Sequence, residues 1–394
     1  MNQDQCCDTA VTNKKRNIQR LKPHSVKILN NTITSSCCCC GSSCDDQPIT
    51  VYDKKDPWIS GELQTTVGTI PQISTKLVMS DILGAWKVRW GIGRMSYLVN
   101  PGLYAIGTPD ENSNVLVTAN YKLTLDALRK ELTGMNLWIL VLDTKGVNVW
   151  CAAGKGTFGT TELINRITKS RLSDLISHKK IILPQLGAPG VMGYEVTKQT
   201  GFQIVYGPVR AEDVKVFINS GFKATEKMRE VLFTTKDRLV LTPVEIVSSF
   251  KPSIYVFGAM FLLNLLAVNR FGIIDFYAYA GAVISGCFLT PLLLPWIPVK
   301  AFAMKGWILG LLWTISIIVI NGWPSSNSFE ILRGFGYLFA LPSVSAYFAM
   351  NFTGSSTYTS YSGVLKEMKT AIPAILISIG LGIITLLINL FVIL

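Results

Sequence analysis

The sequence predicts an α/β domain followed by an all-α membrane domain of five transmembrane helices. Short apolar runs alternate with amphipathic stretches between about residues 76 and 245. From Ser253 onward charge thins out to Arg270, Asp275, Lys300, Lys305, Glu330, Arg333, Lys366, Glu367 and Lys369, only +3 of the formal net charge of +12. Five apolar stretches fill that half, at roughly 253–269, 273–294, 302–320, 331–350 and 371–394. A helix crosses a bilayer with about 20 apolar residues, so all five qualify, the first marginally. Strand–helix alternation argues for a mostly parallel sheet covered by helices on both faces. The chain therefore divides into a tail (1–50), an α/β domain (51–245) and a membrane domain (246–394).

The tail is rich in Asn, Lys, Ser, Thr and Cys, has little apolar periodicity and reads as disordered. It shows no signal-peptide apolar region. Seven of the nine cysteines lie in it: Cys6, Cys7, Cys37 to Cys40 and Cys44. Val115 to Val117 reads as a strand, Leu123 to Leu132 as a helix and Leu137 to Leu142 (LWILVL) as a buried strand. Helical segments at Phe158 to Ile176, Ala211 to Asn219 and Thr225 to Leu232 alternate with strands at Lys180 to Leu183 and Phe202 to Tyr206. In a five-span layout Lys251, Lys300, Lys305, Lys366 and Lys369 lie on one side and Arg270 and Arg333 on the other. The positive-inside rule then puts the N-terminal half in the cytoplasm, on a multi-pass inner-membrane protein. A cytoplasmic setting keeps the thiols reduced.

Asn148-Val149-Trp150-Cys151-Ala152-Ala153-Gly154-Lys155 is the most informative segment. Asn148 is a good helix N-cap after the turn Asp143 to Gly146. Cys151 then falls in the first turn of a short helix, where amide dipoles favour a thiolate. A small buried core residue is the alternative. Glycine-rich turns follow two strands, at Gln185-Leu186-Gly187-Ala188-Pro189-Gly190 and Gly207-Pro208-Val209, and Thr118-Ala119-Asn120-Tyr121 follows a third. Ligands of open α/β sheets bind outside the carboxyl ends of strands, so these three turns form a candidate rim.

Several chemistries are excluded. Gly154-Lys155-Gly156-Thr157 is not a phosphate loop, because Val149 stands where the first glycine is required. There is no GxSxG or HExxH motif. Histidine is confined to His24 and His178, so a His-based centre or zinc site is not expected. No nucleic-acid partner is expected.

NVWCAAGK at 148–155, LPQLGAPGV at 183–191 and YGPVRAED at 206–213 together resemble the mercury-methylating corrinoid protein family (HgcA). ANYKLTLDALR at 119–129 and FTGSSTYTSYSGVLKEM at 352–368 agree, so the resemblance covers roughly residues 80 to 394. It implies a Rossmann-like domain binding a cobalamin-type corrinoid, with the helix that starts at Asn148 capping the cofactor. Cys151 would be the catalytic residue and the lower axial ligand of cobalt. Trp150, Ala152, Gly154 and Lys155 would lie at the cofactor. Gln185, Gly187, Ala188 and Gly190 would line the corrin, with Gly207, Pro208 and Asn120 on the same rim. Trp150 is expected to pack the cap against the sheet.

The same resemblance implies methyl transfer from a methyltetrahydrofolate-derived donor or methyl-donor protein to Hg(II). It also implies a ferredoxin with two 4Fe-4S clusters (HgcB) as electron donor. The tail cysteines would be a soft relay for mercury or a dispensable extension. Two other functions compete. One is a corrinoid methyl carrier of one-carbon metabolism with another acceptor. The other is a transporter with a cytoplasmic sensory domain, which the scarcity of ionisable residues inside the spans disfavours.

Overall fold

A computed structural model of the chain describes residues 50–267, 270–322, 328–356, 358 and 361–391. The cysteines of the tail lie outside the described residues. The first described residue, Thr50, is buried. Its hydroxyl donates to the Leu103 carbonyl at 2.9 Å and accepts from the Leu103 amide at 2.8 Å.

Seven strands form one sheet: β1 (Ile59–Thr65), β2 (Gly68–Ile73), β3 (Gly102–Ile106), β4 (Val115–Ala119), β5 (Leu137–Leu142), β6 (Lys180–Leu183) and β7 (Gln203–Tyr206). Their order is β1-β2-β3-β5-β4-β6-β7. The sheet is mixed. The β1/β2 and β3/β5 pairs are antiparallel, while β2/β3, β5/β4, β4/β6 and β6/β7 are parallel. β4 to β7, which form one continuous parallel stretch, are the strands legible as apolar runs. Every residue of β5 is buried, as expected of a central strand covered on both faces. Strands β1, β2 and β3 escape the sequence reading; β1 (ISGELQT) does so because it alternates polar residues on an exposed edge.

Helices α1 (Met79–Arg89) and α2 (Lys122–Arg129) precede and follow the start of the parallel part. Then come α3 (Val149–Lys155), α4 (Thr160–Lys169), α5 (Leu172–Leu175), α6 (Gly193–Thr200), α7 (Val214–Asn219) and α8 (Glu226–Arg229). Ala152, Leu163 and Val196, from α3, α4 and α6, enter the core on one face of the sheet. Leu125 and Phe217, from α2 and α7, enter the core on the other. The chain thus winds outward from β4 in both directions. Crossovers of one hand then place helices on opposite faces and leave a switch point between β4 and β6.

The second half is helical: α9 (Thr235–Asn264), α10 (Ile273–Ile284), α11 (Thr290–Leu293), α12 (Phe302–Ile320), α13 (Ser328–Asn351) and α14 (Tyr361–Phe391). A π-helical turn, Ser285–Leu289, joins α10 to α11. α9 begins well before the apolar run at 253, because Thr234 and Asp237 make a reciprocal capping box. The expected domain boundary at 245 therefore falls inside a continuous helix.

Four helical segments are long and apolar enough to cross a membrane among the described residues: Thr235–Asn264, Ile273–Leu293, Phe302–Ile320 and Ser362–Phe391. The expected count of five is not confirmed. α13, which holds the remaining expected stretch, 331–350, packs against α12 and α14. Its Ser345, Ala346 and Ala349 are buried against Gly306 and Gly310 of α12. Ser345 Oγ donates to the Gly306 carbonyl at 2.7 Å. Small residues at such a crossing let two backbones approach closely. Asp275, the one acid expected within a span, is buried at the start of α10. It is clamped by Arg333 and by the Tyr337 hydroxyl at 2.6 Å.

Candidate functional site

The carboxyl ends of β4, β6 and β7 open into a crevice of about 470 Å3 at the switch point. Thr118, Pro184, Gly207 and Pro208 line its floor, and Tyr121 and Thr124 one wall. Asn148, Val149 and Trp150 bring α3 to its mouth. Of the expected site residues, Asn148, Trp150, Gly207 and Pro208 line this one crevice.

α3 owes its position to two asparagines. Asn148 Oδ1 accepts the Cys151 amide at 2.9 Å, which makes Asn148 the N-cap. Gly156, at φ 79°, closes the other end in the left-handed conformation that favours glycine. Asn120 follows the end of β4, before α2 and β5 in the chain, and is buried. Its Oδ1 accepts the amides of Thr144 and Gly146, each at 3.0 Å, and lies 2.8 Å from the Thr144 hydroxyl. Its Nδ2 donates to Asp143 at 3.3 Å. Asn120 thus ties the end of β4 to the tight turn at Lys145 and Gly146, where both residues have positive φ. That turn aims the backbone into α3. Burial pushes the Asp143 carboxyl up, but the Lys145 ammonium and amide outweigh it and hold it below the usual carboxylate range.

The faces of α3 divide cleanly. Val149, Ala152 and Ala153 are buried and seat the helix on the core. Ala152, expected at the cofactor, is instead a core contact at 0% exposure. Trp150, expected to pack inward, is 40% exposed, because its ring leans over the crevice rather than under the helix. Cys151, Gly154 and Lys155 are exposed on the outward face, so the small-core alternative for Cys151 is excluded.

The glycines separate into two kinds. A Cβ on Gly187 would lie 2.4 Å from the Phe158 ring, and one on Gly190 2.1 Å from the Phe158 carbonyl oxygen. Both are glycine because the 185–190 turn presses on Phe158, a buried side chain. Gly187 is itself buried, so it faces the chain and not an outside ligand. A Cβ on Gly154 would meet nothing within 4 Å, although glycine inside a helix costs about 1 kcal/mol relative to alanine. Nothing in this chain requires glycine there. Ala188 is half-buried in the same turn, and Gln185 Oε1 accepts from Arg229 at 3.2 Å.

Among the described residues no group of three or more His, Cys, Asp or Glu side chains could hold a metal ion. His178 is a half-buried loop residue whose Nε2 lies 3.0 Å from the Ser113 carbonyl oxygen. Arg89 at the end of α1, together with Leu186 and Arg210, also lines the crevice and was missed. For Arg89 the only signal was its basic charge in an unassigned stretch. Arg210 is held by Asp237 at 2.8 Å.

Residues 92–218 match the family model for the CO dehydrogenase/acetyl-CoA synthase delta subunit. The acetyl-CoA decarbonylase/synthase complex subunit gamma of Methanocaldococcus jannaschii is 34% identical over 131 residues, which is 33% of this chain and 26% of that protein. The subunit gamma of Methanopyrus kandleri is 32% identical over 122 residues, 30% of this chain and 26% of that protein. The corrinoid/iron-sulfur protein large subunit of Moorella thermoacetica is 30% identical over 121 residues, 30% of this chain and 27% of that protein. The chain spans about a quarter of the length of these relatives. The family match contains β3 to β7 and α3 and stops short of the helical half.

Proposed function

We propose that the chain is a membrane-anchored corrinoid methyltransferase that passes a methyl group from a methylfolate-derived donor to Hg(II), giving methylmercury. The observation that carries this reading is the outward face of α3. It presents a single thiol, Cys151, one helical turn from Gly154, a glycine with open space above it. A cofactor that brings its own metal would ask the protein for few donors and an accessible surface to lie against. The donor set fits that request and not a protein-built metal site. Similarity to a corrinoid/iron-sulfur protein large subunit supports it.

When bound, a corrinoid would supply cobalt chemistry suited to carrying methyl groups, and Cys151 would offer the metal a soft sulfur donor. The chain's own residues supply the rest. Asn148 holds the first turn of α3 so that Cys151 Sγ points outward. Asn120 fixes the preceding turn. Gly154 admits close approach to the backbone, and Lys155 stands ready for a ring amide or carboxylate. Trp150, Gly207 and Pro208 line the crevice beside it, which would receive a cofactor substituent. Gln185, Ala188 and Gly190 shape the turn that backs α3. The ferredoxin with two 4Fe-4S clusters would deliver electrons from the cytoplasmic side of the inner membrane, where the lysine-rich ends of the helices would lie.

The test is a visible spectrum of protein purified without oxygen, with and without Cys151→Ala, beside methylmercury formation in cells. A corrinoid spectrum that changes in the variant, with loss of methylation, is expected. Near-full methylation by Cys151→Ala would overturn the assignment. The relatives' names favour one second reading, a methyl carrier with a thiol or carbonyl acceptor. Comparing transfer to Hg(II) and to those acceptors separates the two.

A further inference from the structure

Helix α1 is built inside out. Its protein-facing stripe is Asp81, Gly84, Ala85 and Val88, with Asp81 and Val88 buried. Asp81 is clasped by Lys122 at 2.8 Å and Arg129 at 2.6 Å. Gly84 lies so close to Tyr97 that a Cβ would stand 2.5 Å from its hydroxyl. The opposite stripe carries the large apolar groups. Met79, Ile82, Leu83 and Trp86 are 67%, 52%, 51% and 58% exposed. Ile92 and Met95, in the turn that follows, are 61% and 67% exposed. An ordinary surface helix has the reverse arrangement, and a contiguous apolar patch of this kind marks a partner.

Charge and position identify the partner. The exposed or half-exposed ionisable residues between 76 and 95 are Lys76, Lys87, Arg89 and Arg94; the only acid, Asp81, is buried. Large apolar side chains with tryptophan on one face and a basic border suit the boundary of an anionic lipid layer. α1 also packs against α9, with Gly91 beside Val247, where that helix runs towards its apolar portion. The patch therefore adjoins a candidate membrane-spanning helix.

We infer that the segment from Lys76 to Met95 lies in the headgroup layer of the bilayer, with Met79, Ile82, Leu83 and Trp86 at the acyl boundary and Lys76 and Lys87 against anionic lipid phosphates. It is a second hold of the α/β domain on the membrane, beside α9. The full chain in phosphatidylglycerol/phosphatidylcholine nanodiscs, with photoreactive benzoylphenylalanine replacing Leu83, tests this. A lipid adduct is expected at 83, several-fold stronger than at the exposed control position Gln199, and weaker when phosphatidylglycerol is omitted. A cross-link to a second copy or another protein in place of lipid, or equal lipid labelling at 83 and 199, overturns it. Trp86→Phe gives an independent reading: brominated lipids should quench measurably less tryptophan emission in the variant. Unchanged quenching overturns the inference.

Discussion

Gly154 offers a substitution whose two effects have opposite signs. Gly154→Ala places a methyl group where, beyond the helix's own adjacent backbone, no atom of the described residues lies within 4 Å, in a helix whose backbone there has no positive φ. The cofactor-free protein should gain the helix-propensity difference, about 0.8–1 kcal/mol. For a domain of roughly 150–250 residues that raises Tm by about 2–4 °C. If a flat cofactor lies on the outward face of α3, the same methyl is overpacked in the complex. Overpacking costs about 1–3 kcal/mol, which weakens binding by roughly fivefold to a hundredfold. Thermal unfolding without cofactor and anaerobic titration with a corrinoid, followed by absorbance, measure the two effects separately. A stabilised variant that binds the corrinoid as tightly as wild type would show that the outward face of α3 is not where the cofactor lies. A destabilised variant would show that Gly154 serves the fold.

Gly190→Ala should do the reverse, lowering Tm of the cofactor-free protein by several degrees, because its Cβ would collide with the Phe158 carbonyl oxygen; an unchanged melting curve would refute the packing role. Asn120→Ala should cost about 2 kcal/mol or more by leaving buried amides of Thr144 and Gly146 unpaired, as read by denaturant titration. It should also weaken corrinoid binding, which a purely global effect would not do once the variant is folded. Asp81 supplies a pH prediction. Burial pushes its carboxyl up, but Lys122, the Val78 amide and Arg129 together hold it below the ordinary value. A depressed carboxylate contributes stability above its unfolded pKa, near 4, and loses it as pH falls through the folded value. Stability should therefore fall below about pH 4, and Asp81→Asn should be less stable at neutral pH with a flatter acid limb in a pH series of unfolding curves.

The legible parts of the fold are those where one physical rule acts alone. LWILVL is a central strand because a fully apolar run of six has no other home, and its ends match the structure. Asn148 is legible as a cap because the side-chain oxygen and the Cys151 amide are three residues apart in sequence. α1 was invisible because its large apolar residues face outward and its buried stripe is Asp, Gly, Ala and Val. β1 was invisible because an edge strand buries so little, and β2 because Pro71 and Gln72 interrupt its buried isoleucines, Ile70 and Ile73. Glycines are ambiguous for a different reason. Composition places Gly154, Gly187 and Gly190 in the same class, and only the coordinates show which of them is pressed by Phe158 and which is open. The role of Cys151 was suggested by resemblance; its outward direction follows from the seating of Val149, Ala152 and Ala153.

The unbroken course of α9 has a mechanical consequence. Thirty residues of helix are about 45 Å long, roughly 15 Å more than the hydrocarbon layer, so the excess is a helical post, bent where Pro243 and Pro252 allow, and not a slack tether. Arg210 grips that post at Asp237 and carries the crevice with it. The reaction chamber would thus diffuse in two dimensions at a nearly constant height and attitude. A soluble electron donor would meet a surface that is already turned the right way, and a donor adapted to a tumbling target would gain nothing from its extra reach.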